Sequence, residues 1–244
     1  MGSLSNKVAI VTGASTGIGH SIAQAFAAEG AKVVLAARRR EKLETLAEEI
    51  KRAGGTALVV QTDVTSEEDV IELFRATVKQ YDRVDILVNN AGTAVGKPTD
   101  ELTLAEWRKV IDCNVTGAFL CSREAFKLMK AQRSGRILNI GSISSQRPRP
   151  NSAPYSTSKF AIEGLTHSLA VDGRQYGIAV SAMHPGNVAT EIWGAHTELV
   201  KEREGMMPAE DVARLAVLMM NLPPEMNLYQ AVVLPVTQPF LGRG

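Results

Sequence analysis

The chain has little of what marks secreted, membrane-bound or metal-dependent proteins. Its only cysteines are Cys113 and Cys121. Two thiols build neither a disulfide framework nor a metal-ligand cluster, and they suit a reducing cytosol. No run of about 18 apolar residues is present, so no transmembrane helix is expected. The N-terminus, Met1 to Lys7, has no apolar signal region and is expected to lead directly into a strand, as in a cytoplasmic protein. His20, His167, His184 and His196 share no short ligand spacing; each is expected in the core or at the surface, and no metal is expected. The net charge is only +1, which gives no reason to expect nucleic acid or an anionic membrane as partner. No Pro/Gly/Ser-rich linker, internal repeat or low-complexity block divides the sequence, so residues 1–244 read as one domain.

What is present is an alternation of strand and helix patterns. Lys7–Thr12, Lys32–Ala36, Ala57–Gln61, Val84–Val88, Arg136–Ile140, Ile178–Met183 and Tyr229–Leu234 are short, mostly apolar runs. Helical periodicity fills the intervals over Ile18–Gly30, Glu41–Ala53, a segment capped by Ser66, Thr103–Gln132 with an interruption near Gly117, Tyr155–Gln175 and Pro208–Leu222. Buried strands alternating with helices predict a parallel sheet covered on both faces, the α/β doubly wound Rossmann-type arrangement.

Thr12-Gly13-x-x-x-Gly17-x-Gly19 falls between the first strand and the first helix. Glycines there permit a tight turn and a close backbone approach to a pyrophosphate, with helix N–H groups facing the anion. After the second strand the sequence reads Ala36-Ala37-Arg38-Arg39-Arg40, with no carboxylate before Glu41. An acidic residue would bind a ribose 2′-hydroxyl, whereas an arginine accommodates a 2′-phosphate. NADP(H) is therefore expected rather than NAD(H), with Arg38 as main phosphate partner and Arg39 second. Asp63-Val64, after the third strand, suits either an adenine contact or a plain turn.

Ser142 is followed by a loop and then by Tyr155-Ser-Thr-Ser-Lys159. If Tyr155 opens a helix, Tyr155 and Lys159 rise from one face, a turn apart. A free tyrosine titrates near pH ~10, so acid/base work at neutrality requires about 4 kcal/mol of preference for the phenolate. The nearby ammonium is expected to supply part of it by lowering the phenol's pKa. Asn139-Ile-Gly-Ser142-Ile-Ser144 is not the G-x-S-x-G of a hydrolase nucleophile.

Together with Asn89-Asn90-Ala91-Gly92, Asn114 and Pro185-Gly186, these motifs resemble the short-chain dehydrogenase/reductase family in its single-domain form, over nearly the whole chain. The resemblance implies seven mainly parallel strands in the order 3-2-1-4-5-6-7 with helices on both faces. It implies that Tyr155 exchanges a proton with the substrate oxygen, that Lys159 bonds the nicotinamide ribose, that Ser142 polarises the substrate oxygen and that Asn114 positions a water. Cofactor contacts would come from Gly13, Ser15, Thr16, Gly17, Ile18, Gly19, Arg38, Arg39, Asp63, Val64, Asn90, Ala91, Gly92, Tyr155, Lys159, Pro185, Gly186, Val188 and Thr190. Ser142, Ser144, Gln146, Tyr155 and Trp193 would meet the substrate, under a loop at about 187–207 that holds Ile192, His196, Met206 and Met207 and closes as a lid. Arg147 and Arg149 either grip a substrate carboxylate or form a solvated rim, the latter preferred. The tail from Leu234 to Gly244 lacks the family's common Val-Asp-Gly-Gly ending and looks like that of members acting on small ketones or 3-hydroxy acids. The expected activity is NADP(H)-linked interconversion of a ketone or aldehyde and an alcohol. The alternatives are an NAD-linked alcohol or 3-hydroxy acid dehydrogenase and, less favoured, a nucleotide-binding protein without turnover. A homotetramer packed through Thr103–Gln132 and Tyr155–Gln175 is implied, a dimer being the smaller option.

Overall fold

The computed structural model describes residues 2–240, without the side chains of Ile192, Ala195 and His196. Seven strands form one sheet in the order β3-β2-β1-β4-β5-β6-β7. They are β1 (Val8–Thr12), β2 (Lys32–Ala37), β3 (Thr56–Gln61), β4 (Ile86–Asn89), β5 (Gly135–Ile140), β6 (Ile178–Pro185) and β7 (Gln230–Val233). Every pairing is parallel, which sharpens the expected mainly parallel sheet.

The strands are continuously apolar because both faces are covered. Along β1, Ala9 and Val11 join a core with Phe26, Leu43, Leu46 and Val212, whereas Val8 and Ile10 join another with Val70, Leu73, Leu120 and Met129. The first core is closed by α1 (Gly17–Ala28), α2 (Arg40–Arg52) and α8 (Ala209–Met220), and the second by α3 (Glu67–Tyr81) and α5 (Gly117–Gln132). Truncating a fully buried residue such as Ile10 to alanine costs about 2–5 kcal/mol. Ser66 caps α3 by accepting from the Asp69 amide, with Glu67, Glu68 and Asp69 in the first turn. Because β1 lies between β2 and β4, the sheet's carboxyl edge opens a crevice there, where chain direction reverses and ligands bind in such folds.

The interruption expected near Gly117 takes a different form. α4 (Leu104–Ile111) runs through a π-helical turn at Asp112–Thr116 into α5 without a break. Gly117 has an ordinary helical backbone; its lack of a side chain lets Val64 approach, since a Cβ there would meet Val64 Cγ2 at 2.7 Å. The widened turn turns Asn114 inward. The 187–207 segment is also more regular than its sequence indicates. It contains a 3₁₀ turn at Glu191–His196 and α7 (Thr197–Glu204), and a parallel bridge pairs Val188 with Met207. The remaining helix, α6 (Ala153–Gly173), begins with Pro154 in its first turn, which places Tyr155 just inside it.

Candidate functional site

The crevice is fastened at its floor by Thr12 and Asn90. Thr12 Oγ1 accepts from the Asn90 and Ala91 amides at 3.0 and 3.1 Å, and Asn90 Nδ2 donates to the carbonyls of Thr12 and Gly13 at 3.0 and 3.2 Å. Gly13 and Gly17 take φ of 64° and 58°, a region that glycine enters at no steric cost. A side chain at Gly19 would collide with Asn90 Nδ2. Thr16 makes no capping bond to the start of α1; its hydroxyl and that of Ser15 instead accept from Arg39 Nη2 at 3.0 and 3.1 Å. The first turn of α1 also lacks acidic residues. Uncapped N–H groups, a glycine turn and an overlying guanidinium form a donor set that fits a dinucleotide phosphate.

Two hollows flank this turn. One, of about 660 Å³, is lined by Arg38, Gln61, Asp63, Glu68, Asp69 and Glu72. The other, of about 630 Å³, includes Ser15, Thr16, Gly17, Lys42, Thr190 and Glu191. The second includes the glycine turn itself, and the first lies at Arg38, past the ends of β2 and β3. Asp63 holds a turn through Thr65, accepting from its amide and its hydroxyl, and also borders the first hollow, so both sequence readings of it fit. Val64 is buried against Gly117.

The opposite end gathers Asn114, Ser142, Tyr155 and Lys159. Asn114 Nδ2 donates to the Thr93 carbonyl and to Ser158 Oγ, both at 2.9 Å, and its Oδ1 accepts from the Thr93 amide at 2.8 Å. Gly92 lies beside it: a Cβ there would stand 3.5 Å from Asn114 Oδ1. Ser142 Oγ accepts from the Ser144 amide at 3.1 Å, and the Ser142 side chain faces the Tyr155 phenol closely enough to favour its phenolate. Lys159 Nζ donates to the Ile140 carbonyl at 2.8 Å and lies 5.5 Å from the centre of the Tyr155 ring.

The electrostatics correct one expectation. Lys159 was expected to lower the Tyr155 pKa. Burial instead raises the phenol, and the group opposing the rise is Ser142. Burial also pulls the Lys159 ammonium down to about 8. Desolvation disfavours the charged form of each.

The remaining candidates border the same crevice. Pro185 ends β6, and the Gly186 amide donates to the Val233 carbonyl at 2.8 Å. A Cβ at Gly17 would stand 3.0 Å from Thr190 Cγ2, so Thr190 reaches the glycine turn. Val188 is buried, and its carbonyl accepts from Trp193 Nε1 at 2.9 Å. Ser144 is buried beside Ser142, and Gln146 follows at the end of that turn. Arg149, a rim residue by sequence, is engaged: its Nη2 donates to Glu204 Oε2 at 2.5 Å and to Asn187 Oδ1 at 3.0 Å, and its guanidinium stacks 5.4 Å from the Trp193 ring centre. Sequence reasoning missed Asn187, Glu204 and Gln238, whose partners are distant along the chain; the Gln238 carboxamide accepts from the Asn187 amide at 2.8 Å and donates to Asn187 Oδ1 at 2.9 Å. The expectations on the side chains of Ile192 and His196, and on tail residues 241–244, lie outside the described residues.

The family model described as short chain dehydrogenase matches residues 7–200, which include the glycine turn and all four of Asn114, Ser142, Tyr155 and Lys159. This chain belongs to the short-chain dehydrogenase/reductase family. A 3-oxoacyl-[acyl-carrier-protein] reductase of Synechocystis is 40% identical over 193 residues, covering 79% of this chain and 78% of the relative. A short-chain dehydrogenase/reductase from Mycobacterium marinum has a TM-score of 0.89 at 32% identity, covering 94% of each chain. A metagenomic short-chain oxidoreductase, solved in complex with NADP, has a TM-score of 0.85 at 33% identity, covering 96% of this chain and 98% of its own. Family membership makes the chain an oxidoreductase of Rossmann-type fold. Among the described residues no helix is long and apolar enough to cross a membrane.

Proposed function

We propose that the chain, as one domain, interconverts a ketone or aldehyde and an alcohol with NADP(H), using Tyr155 as the general acid/base. The observation that carries the reading is the Ser142 side chain facing the Tyr155 phenol, with Lys159 Nζ 5.5 Å from that ring's centre, at the far end of a crevice whose near end suits a dinucleotide phosphate. Arg38 and Arg39 favour the 2′-phosphate form, because arginines, and no carboxylate, follow β2. When bound, the nicotinamide supplies or accepts the hydride; the chain supplies alignment and a proton. Ser142 and Tyr155 both donate to a carbonyl oxygen as negative charge develops on it, and Tyr155 passes its proton to that oxygen. Lys159 balances the phenolate left behind. Asn114, held by the Thr93 backbone and Ser158, stands where it can order a water in the path that reprotonates the site.

Reading absorbance of the reduced cofactor against a panel of aliphatic ketones, aromatic aldehydes and 3-oxoacyl thioesters tests the proposal. NADPH should turn over faster than NADH, and Tyr155→Phe should lower kcat/KM by about 100- to 10,000-fold. Parental turnover by that variant rejects the assignment of Tyr155. A preference for NADH rejects the role given to Arg38 and Arg39.

A further inference from the structure

Behind Ser142 lies an imidazole that the proposed chemistry does not use. His184, near the end of β6, is fully buried. Its Nδ1 stands 3.1 Å from Ser145 Oγ and 3.3 Å from the Ser142 carbonyl oxygen. Its Nε2 is buried without a hydrogen-bond partner. The neighbouring oxygens favour one tautomer. Ser145 Oγ has one hydrogen, which it gives to the Ser142 carbonyl at 2.8 Å. Neither oxygen near Nδ1 has a hydrogen left to offer it, so Nδ1 carries the hydrogen and donates. The buried Nε2 then carries the lone pair, and among the described residues no donor reaches it.

The surroundings make room for this ring. A Cβ on Gly141, the residue before Ser142, would stand 2.5 Å from His184 Nδ1 and 2.8 Å from Cε1. The Ser142 carbonyl also accepts from the Ser145 amide at 3.0 Å. Three donors thus converge on one carbonyl, and the same short turn presents the Ser144 amide to Ser142 Oγ at 3.1 Å. That amide occupies a lone pair of Ser142 Oγ and leaves the hydroxyl hydrogen free to point at Tyr155. If that carbonyl loses its donors, the short turn it closes through the Ser145 amide loosens, the Ser144 amide within that turn shifts, and the hydroxyl loses its direction.

We infer that His184 is a positioning residue: through its Nδ1–H, Ser145 and the Ser142 carbonyl, it holds the turn that aims the Ser142 hydroxyl. The inference rests on the reading of Ser142 and Tyr155 given above. Burial keeps the imidazole below its ordinary pKa, helped by Lys159 and His167 and opposed by the Ser142 carbonyl and Glu163, so its neutral form prevails at neutrality.

The test combines kinetics with a spectrum. With NADPH and the fastest carbonyl of the panel, His184→Phe should lower kcat by about 10- to 100-fold while the KM for NADPH stays at the parental value. His184→Asn, whose amide nitrogen can stand where Nδ1 stands, should restore most of the loss; His184→Gln, which reaches the Nε2 position, should not. Gly141→Ala should reproduce the defect by displacing the ring. In the Ser142→Ala background, His184→Phe should cost nothing more, because both act through one hydroxyl. Independently of turnover, the ring ¹⁵N spectrum of the intact protein should show His184 as the neutral Nδ1–H tautomer. Parental kcat in His184→Phe, a loss that adds fully to that of Ser142→Ala, or an Nε2–H spectrum overturns the inference. If His184→Phe does not fold, the asparagine variant and the spectrum decide. Active Tyr155→Phe rejects the functional reading; inactive Tyr155→Phe with unaffected His184→Phe rejects only the positioning role.

Discussion

At the scale of single residues, burial acts on Tyr155 and Lys159 in opposite directions. The phenol is pushed up and keeps its proton through neutrality, whereas the ammonium is brought down to about 8. In the reducing direction the proton donor is then already charged with its proton, and the group that titrates first is Lys159. Protonated Lys159 is the form that balances the developing phenolate. Its charge is complete well below the pKa and lost as pH rises through it. The kcat/KM for carbonyl reduction should therefore be level below pH about 8 and fall roughly tenfold per pH unit above it. Lys159→Met should lower the plateau and abolish that break; a break that persists in the variant belongs to another group. The motif spacing Tyr155-x-x-x-Lys159 made the pair legible in the sequence, because one helical turn brings the two side chains to one face. The sign of the phenol's shift was not legible. It depends on how much water the folded site excludes, and that is set by residues far away in the chain.

At the scale of elements, the glycine turn and the 187–207 segment differ in how openly the sequence writes them. The glycine turn is local: its residues, strand and helix are contiguous, so spacing alone located it. In α7, Thr197–Glu204, no residue is buried and no apolar stripe exists, so helical periodicity had nothing to register. That helix is held by long-range polar contacts instead. Glu204 receives Arg149 and Asn187 Nδ2, Asn187 is bonded in turn to Gln238, and Trp193 hydrogen-bonds the Val188 carbonyl while stacking on Arg149. Arg149 and Glu204 are both mostly shielded, so removing one leaves the other's charge poorly solvated. Arg149→Met should weaken closure of the segment by about 1–3 kcal/mol and speed amide exchange of α7 by roughly 10- to 100-fold. Arg147→Met, at an exposed rim position, is the control and should leave exchange unchanged. Equal protection of α7 in the Arg149 variant and the parent shows that this contact does not hold the segment.

At the scale of the whole molecule, strand order was legible because the parallel strands are short apolar runs at regular intervals and the family motifs orient them. What lies outside the molecule is written in a different pattern, in which side chains face. The buried side of α6 carries Ser156, Ser158, Lys159 and Thr166, whereas Phe160 and Val171 are about half to two-thirds exposed. Nearby, Leu104 and Trp107 of α4 and Phe119 of α5 also face outward. Pro154 and Ile162 are buried on that side too, but large apolar side chains left on the outer face are unfavourable in water unless another surface covers them. We propose that copies of this chain cover these faces in a homotetramer. A second apolar set, Leu218, Met226, Tyr229 and Val232, lies on and around α8 and the edge strand β7, where Tyr229 stacks 5.7 Å from the His167 ring of α6, and is assigned in this proposal to the second contact that four copies require. The parent should sediment at roughly four times the 26.2 kDa chain mass. Replacing Phe119 and Phe160 together by glutamate should bury two charges in the first contact and halve that mass, leaving pairs joined through the second. Because α6 also carries Tyr155 and Lys159, the pairs should lose turnover as well as mass. A parent that sediments as a single chain rejects the tetramer, and a split assembly with full turnover shows that α6 holds its catalytic groups in place without help from a neighbour.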